Sequence, residues 1–389
     1  MSKNENIVVT GLGVISPYGN TFSEFWRGIT SGKSNLQTVT NFQEAKWTNP
    51  KAVQIDLPSG YDVPLERILY LGVQAAKNAL ENWQGDLNSY EKIGFIVGSG
   101  LGLADQLNPK YADYQNGDFL SQLGNLVASQ LGLNADVIYL SNACSAGSQA
   151  ISFGMDLLAL DEYDLVIAGG LDILSQVAYA GFLRLNSIDH DGCRPFDLDR
   201  KGIMVGEGAA FFVLEKAATA VKNNHEIHCN LAAASTTHDA FHIVQIKPDC
   251  KEIFRALDAA LDDAKLAKDS VDLIVAHGTG TIINDKVEAY LINNYFGDQA
   301  EYIHITAPKS AMGHTGGASG AFSLLVSIGA LQTGIIPPVI NLKNIDPQCN
   351  LPLIATECKS ARIDVAVINT FAFGGTNVIL ICQNWESKN

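Results

Sequence analysis

The sequence predicts an α/β fold made of two similar halves, and three observations carry that prediction. Short apolar segments of strand length alternate with helical stretches along almost the whole chain. Most of those segments are apolar throughout, as strands covered by helices on both faces must be. A glycine-rich turn leading into such a strand occurs twice: Gly206-Glu207-Gly208-Ala209 before Ala210–Leu214, and Phe373-Gly374-Gly375-Thr376 before Val378–Cys382. The echo suggests a division between about 215 and 240, placed here as 1–225 and 226–389. Taken alone it is equally compatible with coincidence.

In chain order, the strand candidates begin with Ile7–Thr10, an apolar run closed by Thr10 and Gly11. Ile93–Val97, Val137–Leu140, Leu165–Ala168 and Ala210–Leu214 follow in the first half. Leu273–Ala276, Val365–Asn369 and Val378–Cys382 follow in the second. Cys144 to about Leu160 reads as a helix with apolar residues nearly all round (Ala146, Ala150, Ile151, Phe153, Met155, Leu157, Leu158), which places it in a core. No Pro/Gly/Ser-rich linker divides the chain.

Composition narrows the function. With 389 residues, 47% hydrophobic and 17% charged, the chain is a globular enzyme by type, neither disordered nor fibrous. No apolar stretch is long enough to span a bilayer, and Ile7-Val8-Val9 is too short for the core of a signal peptide, so a cytoplasmic location is expected. The seven cysteines stand singly with no C-x-x-C pair, which argues against zinc ribbons and disulfide frameworks. A formal charge of -15 argues against nucleic acid as a partner.

Four segments carry candidate chemistry. In Val137-Ile-Tyr-Leu-Ser-Asn-Ala-Cys144-Ser-Ala-Gly, a strand ends in small residues and a helix begins at the cysteine. Peptide N–H groups at a helix start favour a thiolate, so a lowered thiol pKa is expected there. A small residue packed at a crowded turn would read the same way. Leu273-Ile-Val-Ala-His277-Gly278-Thr279-Gly280-Thr281 delivers a histidine at the end of a buried strand, where active-site groups of α/β folds gather, though a merely satisfied histidine is the commoner case. Pro308-Lys309-Ser-Ala-Met-Gly313-His314-Thr-Gly316-Gly317 leaves a second histidine uncrowded. Asn369-Thr-Phe371-Ala-Phe373-Gly374-Gly375-Thr376-Asn377 is a glycine turn with two aromatics, which an ordinary hairpin would also explain. Competing motifs are weaker: Gly11-Leu-Gly13-Val-Ile-Ser16 lacks the third glycine of a dinucleotide fingerprint. His238-Asp239-Ala-Phe-His242 lacks the glutamate of a metalloprotease helix, so no metal is expected.

Together these segments resemble the β-ketoacyl-acyl-carrier-protein synthases of the thiolase superfamily, in the elongating branch with a Cys-His-His site. The likeness runs from Val8-Val-Thr-Gly-Leu-Gly-Val-Ile-Ser-Pro17 to the C-terminal hairpin and includes Arg194-Pro-Phe-Asp197-Leu-Asp-Arg200-Lys-Gly202. The resemblance implies a thiolase-like, five-layered αβαβα fold with two pseudo-repeated halves. It implies that Cys144 accepts an acyl chain from a carrier protein. His277 and His314 would then hold a malonyl thioester through its decarboxylation. Lys309 and Glu288 would form a buried ion pair beside them, and the N–H groups of Cys144 and Phe373 an oxyanion hole. Thr279 and Thr281 would bind the phosphopantetheine arm, and the turn with Phe371, Phe373, Gly374 and Asn377 would bind or gate substrate. No cofactor is implied, since departing CO2 creates the nucleophile. The implied partners are an acyl carrier protein and a second subunit, in a homodimer or a heterodimer with a chain-length-factor-like protein. Because carrier proteins are acidic, Arg67, Arg200 and Lys201 are candidates for a local basic docking patch.

Departures from the family pattern are Ile282 for proline, Ala372 for glycine, Ser323 for glutamate, Ile203 for phenylalanine, a loose match at Phe241–Gln245, and a shortened Leu103–Leu133 stretch. They spare the catalytic set and alter gate, pocket and interface, which favours a specialised polyketide or polyene synthase over a housekeeping fatty-acid enzyme. A thiolase is disfavoured because Cys382 lies in an apolar strand. A non-catalytic chain-length-factor-like subunit is disfavoured because Cys144 is present.

Overall fold

The computed structural model describes residues 6–39, 47, 50–107 and 119–385. Ten strands make the main sheet. The first five are β1 (Ile7–Ile15), β2 (Ile93–Gly98), β3 (Asp136–Leu140), β4 (Leu165–Asp172) and β5 (Gly208–Lys216). The second five are β6 (Cys229–His238), β7 (Leu273–Val275), β8 (His304–Thr306), β9 (Val365–Phe371) and β10 (Thr376–Gln383). Their order across the sheet is β8-β7-β9-β10-β6-β1-β5-β4-β2-β3. Numbered within its own half, each set of five runs 3-2-4-5-1 from the outer edge to the centre. In each half the fifth strand is antiparallel to both neighbours and the remaining pairs are parallel. The halves join where Ile7–Val9 pairs with Cys229–Leu231. The repetition suggested by two glycine turns is thus present in the topology.

The labelled helices are α1 (Pro64–Trp83), α2 (Leu123–Leu131), α3 (Ala146–Ala159), α4 (Gln176–Arg184), α5 (Lys251–Ala264), α6 (Ile282–Phe296) and α7 (Ser319–Thr333). One face of the first five strands (Ile96, Val166, Phe212) and one face of the second (Leu273, Val275, Ile368) close on α3 and α7 in one cluster. The alternate residues Phe95, Ile167 and Phe211 pack outward on α1 and α2. Ile274, Val367 and Ile379 pack outward on α5 and α6. Period-two alternation with both faces apolar is what makes each strand read as a continuous hydrophobic run. Five layers result, with α3 and α7 in the middle.

All eight expected strands form. β6 and β8 were not expected: β6 is Cys-Asn-Leu-Ala-Ala-Ala-Ser-Thr-Thr-His, too small and polar to show as an apolar run, and β8 has three residues. β1 also continues through Gly11 and Gly13. A Cβ on Gly13 would lie 1.9 Å from the Ala75 carbonyl oxygen, so glycine there lets α1 lie directly on the strand. Within the Leu103–Leu133 stretch, residues 108–118 lie outside the described residues. No helix among the described residues is long and apolar enough to cross a membrane.

Arg67 corrects an expectation. It is 3% exposed on α1, ion-pairs with the fully buried Glu207, and donates to the Ile55 carbonyl. Glu207 also accepts the N–H groups of Ile55 (2.7 Å) and Leu174 (2.9 Å). This network ties α1 to the chain before β5 and after β4, and it offers no charge to a docking partner. Arg67→Met strands a buried carboxylate and should lower the unfolding free energy by about 3–5 kcal/mol, read by denaturant titration. A loss below about 1 kcal/mol would contradict this account.

Candidate active site

Cys144 follows β3 in a short helical turn, Ala143–Ser145, that runs into α3. Ala143 has φ +47°, a left-handed value rare outside glycine, so the turn before the thiol is held against its preference by its surroundings. Cys144 is buried, and its sulfur meets its own N–H and that of Phe373. Burial pushes the thiol up to about 11, against the opposing pull of the Lys309 charge and the two N–H groups. The lowered pKa expected from a helix start is therefore not found: removal from water outweighs the helix-start N–H groups.

His277 follows β7. Glu288 on α6 accepts the N–H groups of His277 (2.7 Å) and Gly278 (2.8 Å), fixing the turn, while Lys309 Nζ donates to the His277 carbonyl at 2.7 Å. The Nδ1 atom of His277 faces two donors, Lys309 Nζ at 3.3 Å and the Phe371 N–H at 3.4 Å. An imidazole that accepts at Nδ1 carries its proton on Nε2. His314 reaches the same tautomer, since its Nδ1 accepts the Gly316 N–H at 3.2 Å and lies 3.0 Å from Ser319 Oγ. The two rings stand 5.8 Å apart and nearly perpendicular. Burial first, then the Lys309 charge, holds both imidazoles well below the usual histidine range, so both are neutral N–H donors at pH 7.

Two cavities meet at the thiol. The larger, about 420 Å³, is lined by His277, Thr279, Thr281, Lys201, Phe371 and Phe373 among others. The smaller, about 260 Å³, is lined chiefly by apolar groups including Leu101, Ile173, Val177, Ala178 and Val205. Cys144, His314, Phe182 and Phe373 border both. The Thr279 and Thr281 hydroxyls lie 2.9 Å apart on the larger cavity's wall. The expected Cys144, His277, His314, Thr279, Thr281, Phe371 and Phe373 are thus brought together.

Other expectations need correcting. Lys309 and Glu288 are both buried beside His277, but they do not meet as an ion pair; they grip the His277 backbone through its carbonyl and its N–H. Gly374 and Asn377 line neither cavity. Gly374, at φ +88°, donates its N–H to the Ile243 carbonyl, and buried Asn377 donates to Asp239. They shape the turn and do not face a ligand. Arg200 is 4% exposed and is held by Asp346, Asp285 and nearby carbonyls, so it cannot serve a docking patch. Lys201 is exposed at the larger cavity, 3.7 Å from Asp191. His238 and His242 each accept nearby backbone N–H groups at Nδ1, and among the described residues no His/Cys/Asp/Glu group could hold a metal.

Three residues escaped the sequence reading. Asp285 accepts the N–H groups of Phe196 (2.8 Å) and Gly280 (3.2 Å), and burial raises its pKa to about 6. Its signal was available: Asp285 and Glu288 are three apart at a helix start and so share one face. Asp172 accepts Ser99 Oγ at 2.6 Å and the N–H groups of Gly100 and Gly317, tying the end of β4 to the turn before α7. Phe182 on α4 lies 5.9 Å from the Phe373 ring and 6.3 Å from the His314 ring, as a wall between the cavities; nothing in the sequence marked it.

The family model "Beta-ketoacyl synthase, N-terminal domain" matches residues 4–220, and "Beta-ketoacyl synthase, C-terminal domain" matches 228–343. A 3-oxoacyl-[acyl-carrier-protein] synthase 2 from Synechocystis is 30% identical over 413 residues, covering 99% of each chain. The solved structure of the ishigamide ketosynthase/chain length factor superposes with a TM-score of 0.89 at 30% identity, covering 99% of this chain and 100% of that one. A type II polyketide synthase acyl-carrier protein in complex with its ketosynthase, bound to the hexaketide, includes a chain that superposes at 0.89 and 25% identity, again covering 99% and 100%.

With the thiol raised to about 11, alkylation of Cys144 by iodoacetamide should accelerate roughly tenfold per pH unit from pH 8 to 10. Lys309→Met should slow it further at each pH. A rate that levels off below pH 9, followed by mass spectrometry of the intact protein, would overturn the assignment.

Proposed function

The chain belongs to the β-ketoacyl synthase family, and we propose that Cys144, His277 and His314 carry its condensation. As a condensing enzyme it joins an acyl chain to malonyl-acyl-carrier protein with loss of CO2, lengthening the chain by two carbons. One observation supports this assignment of residues above the others. A buried thiol and two imidazoles with free Nε2–H groups converge where a cavity bearing the Thr279 and Thr281 hydroxyls meets a second, almost wholly apolar one.

The steps follow from that arrangement. The Cys144 sulfur attacks the carbonyl of the carrier thioester, and the N–H groups of Cys144 and Phe373 receive the oxyanion. The pantetheine sulfur leaves, taking the proton that the thiol gave up. The malonyl thioester then enters the larger cavity with its carbonyl oxygen toward the two Nε2–H groups. Its carboxylate C–C bond breaks, CO2 departs, and the electron pair remains as an enolate held by those donors. The enolate carbon attacks the acyl-Cys144 carbonyl, the C–S bond breaks, and the departing thiolate takes a proton from solvent to restore the neutral thiol. CO2 release creates the nucleophile, so the reaction draws on no cofactor. Neutral imidazoles suit this role, because they donate without fixing a proton to the enolate carbon.

Within the family we favour a polyketide or polyene synthase over a housekeeping fatty-acid enzyme. The ketosynthase structures it superposes on support this, as do the departures at Ile203, Ile282 and Ala372, all on the larger cavity. The working unit is then a dimer in the cytoplasm, with a second copy or with a chain-length-factor-like partner. Thr279 and Thr281 are proposed to hold the pantetheine arm. Cys144 comes from the half 1–225 and both histidines from 226–389, so the site needs both.

Incubation with acyl-carrier protein should add one acyl mass to the intact enzyme, and Cys144→Ala should abolish it. His277→Ala and His314→Ala should keep that adduct while slowing CO2 release from malonyl-carrier protein by about 10²–10³-fold. Absence of any adduct, with or without a co-expressed partner, would sink the proposal.

A further inference from the structure

If Cys144 is acylated from a carrier, the carrier must rest where the larger cavity opens, because its tethered arm reaches the thiol from there. Large apolar side chains are exposed around that opening. Ile282 and Ile283, 64% and 45% exposed, start α6 on the cavity rim, and Leu185, 47% exposed, follows α4 on the same rim. Phe241 and Ile243 are 52% and 77% exposed in the segment after β6, and that segment continues through Val244 and Ile246 into the cavity wall. The Ile243 carbonyl accepts the Gly374 N–H at 2.8 Å, which fixes it beside the turn of Phe373. Large apolar side chains gathered on one rim mark an interaction site.

Arg67 and Arg200 are buried, and the exposed cations beside the rim residues include Arg184, next to Leu185, with Lys201 and with Lys286 one turn beyond Ile282 on α6. A chain of net charge -15 repels an acidic carrier at long range, and these few cations do not reverse that sign. Apolar contact is indifferent to that repulsion once the surfaces meet.

We propose that the acyl carrier protein docks on this apolar collar. An apolar face of the carrier covers Ile243, Phe241, Ile282 and Ile283, while Lys201 and Lys286 meet carboxylates at the edge and set its orientation. This rests on the ketosynthase reading above. The occupant is the carrier and not a second copy of this chain, because the collar surrounds the opening through which the tethered substrate must pass.

The test uses Ile243→Ser and Phe241→Ser, neither of which lines a cavity. Acylation of Cys144 is followed from acyl-carrier protein and from a free acyl-pantetheine thioester. Each variant should raise KM for the carrier substrate about tenfold and leave acylation by the free thioester unchanged. The carrier KM of the unmodified enzyme should move less than about threefold between 50 and 500 mM NaCl. An unchanged carrier KM in both serine variants overturns the proposal. So does a steep salt dependence with Lys201→Glu outweighing Ile243→Ser, or a serine variant that changes only the oligomeric state. If the free thioester fails to acylate the unmodified enzyme, the ketosynthase reading is what falls.

Discussion

The carboxylate of Glu288 holds the turn from which the rest of the site is built. It is fully buried on α6, and it accepts the N–H groups of His277 and Gly278 together with side-chain amides of Asn284 and Asn369. Burial raises its pKa while those donors oppose the rise. A carboxylate so placed is costly unless its lone pairs are occupied, and here two backbone and two side-chain amides occupy them. Lys309 closes the same turn from the other side through the His277 carbonyl and also approaches Nδ1. Glu288 and Lys309 together therefore fix the position of His277, while Lys309, the Phe371 N–H and burial set its tautomer and its neutrality.

Burial governs the remaining electrostatics. Cys144, His277 and His314 are buried between the two halves, where any charged form loses its hydration. All three are accordingly neutral at rest: the thiol is pushed up and the imidazoles are pushed down. Negative charge then develops only as bonds change, opposite N–H donors that are already oriented. Such donors need not reorganise when the charge appears, which is the physical basis of their effect on rate.

Two cavities of different character meet at the thiol. The larger cavity carries the threonines and His277, the smaller is almost wholly apolar, and Phe182 with Phe373 stands between them. Two of the three residues expected to form a basic patch at the opening are absent from it, because Arg67 and Arg200 are held inside the fold by Glu207, Asp285 and Asp346.

Much of this protein was legible in its residues alone. Strands covered on both faces are apolar throughout, so eight of them could be read directly, and Cys144, His277 and His314 stand in motifs short enough to be seen. β6 was hidden because its small residues do not need to be large where sheet packs tightly on helix. What only the tertiary structure decided are the properties that depend on partners far away in sequence. Arg67 meets Glu207 across 140 positions, Phe182 meets Phe373 across the cavity wall, and the Cys144 thiol is raised because the whole fold excludes water from it. Local sequence specifies periodicity and turn chemistry, both short-range. Burial and pairing are long-range sums over the packed chain, and they decide which charges face solvent and which way a pKa moves.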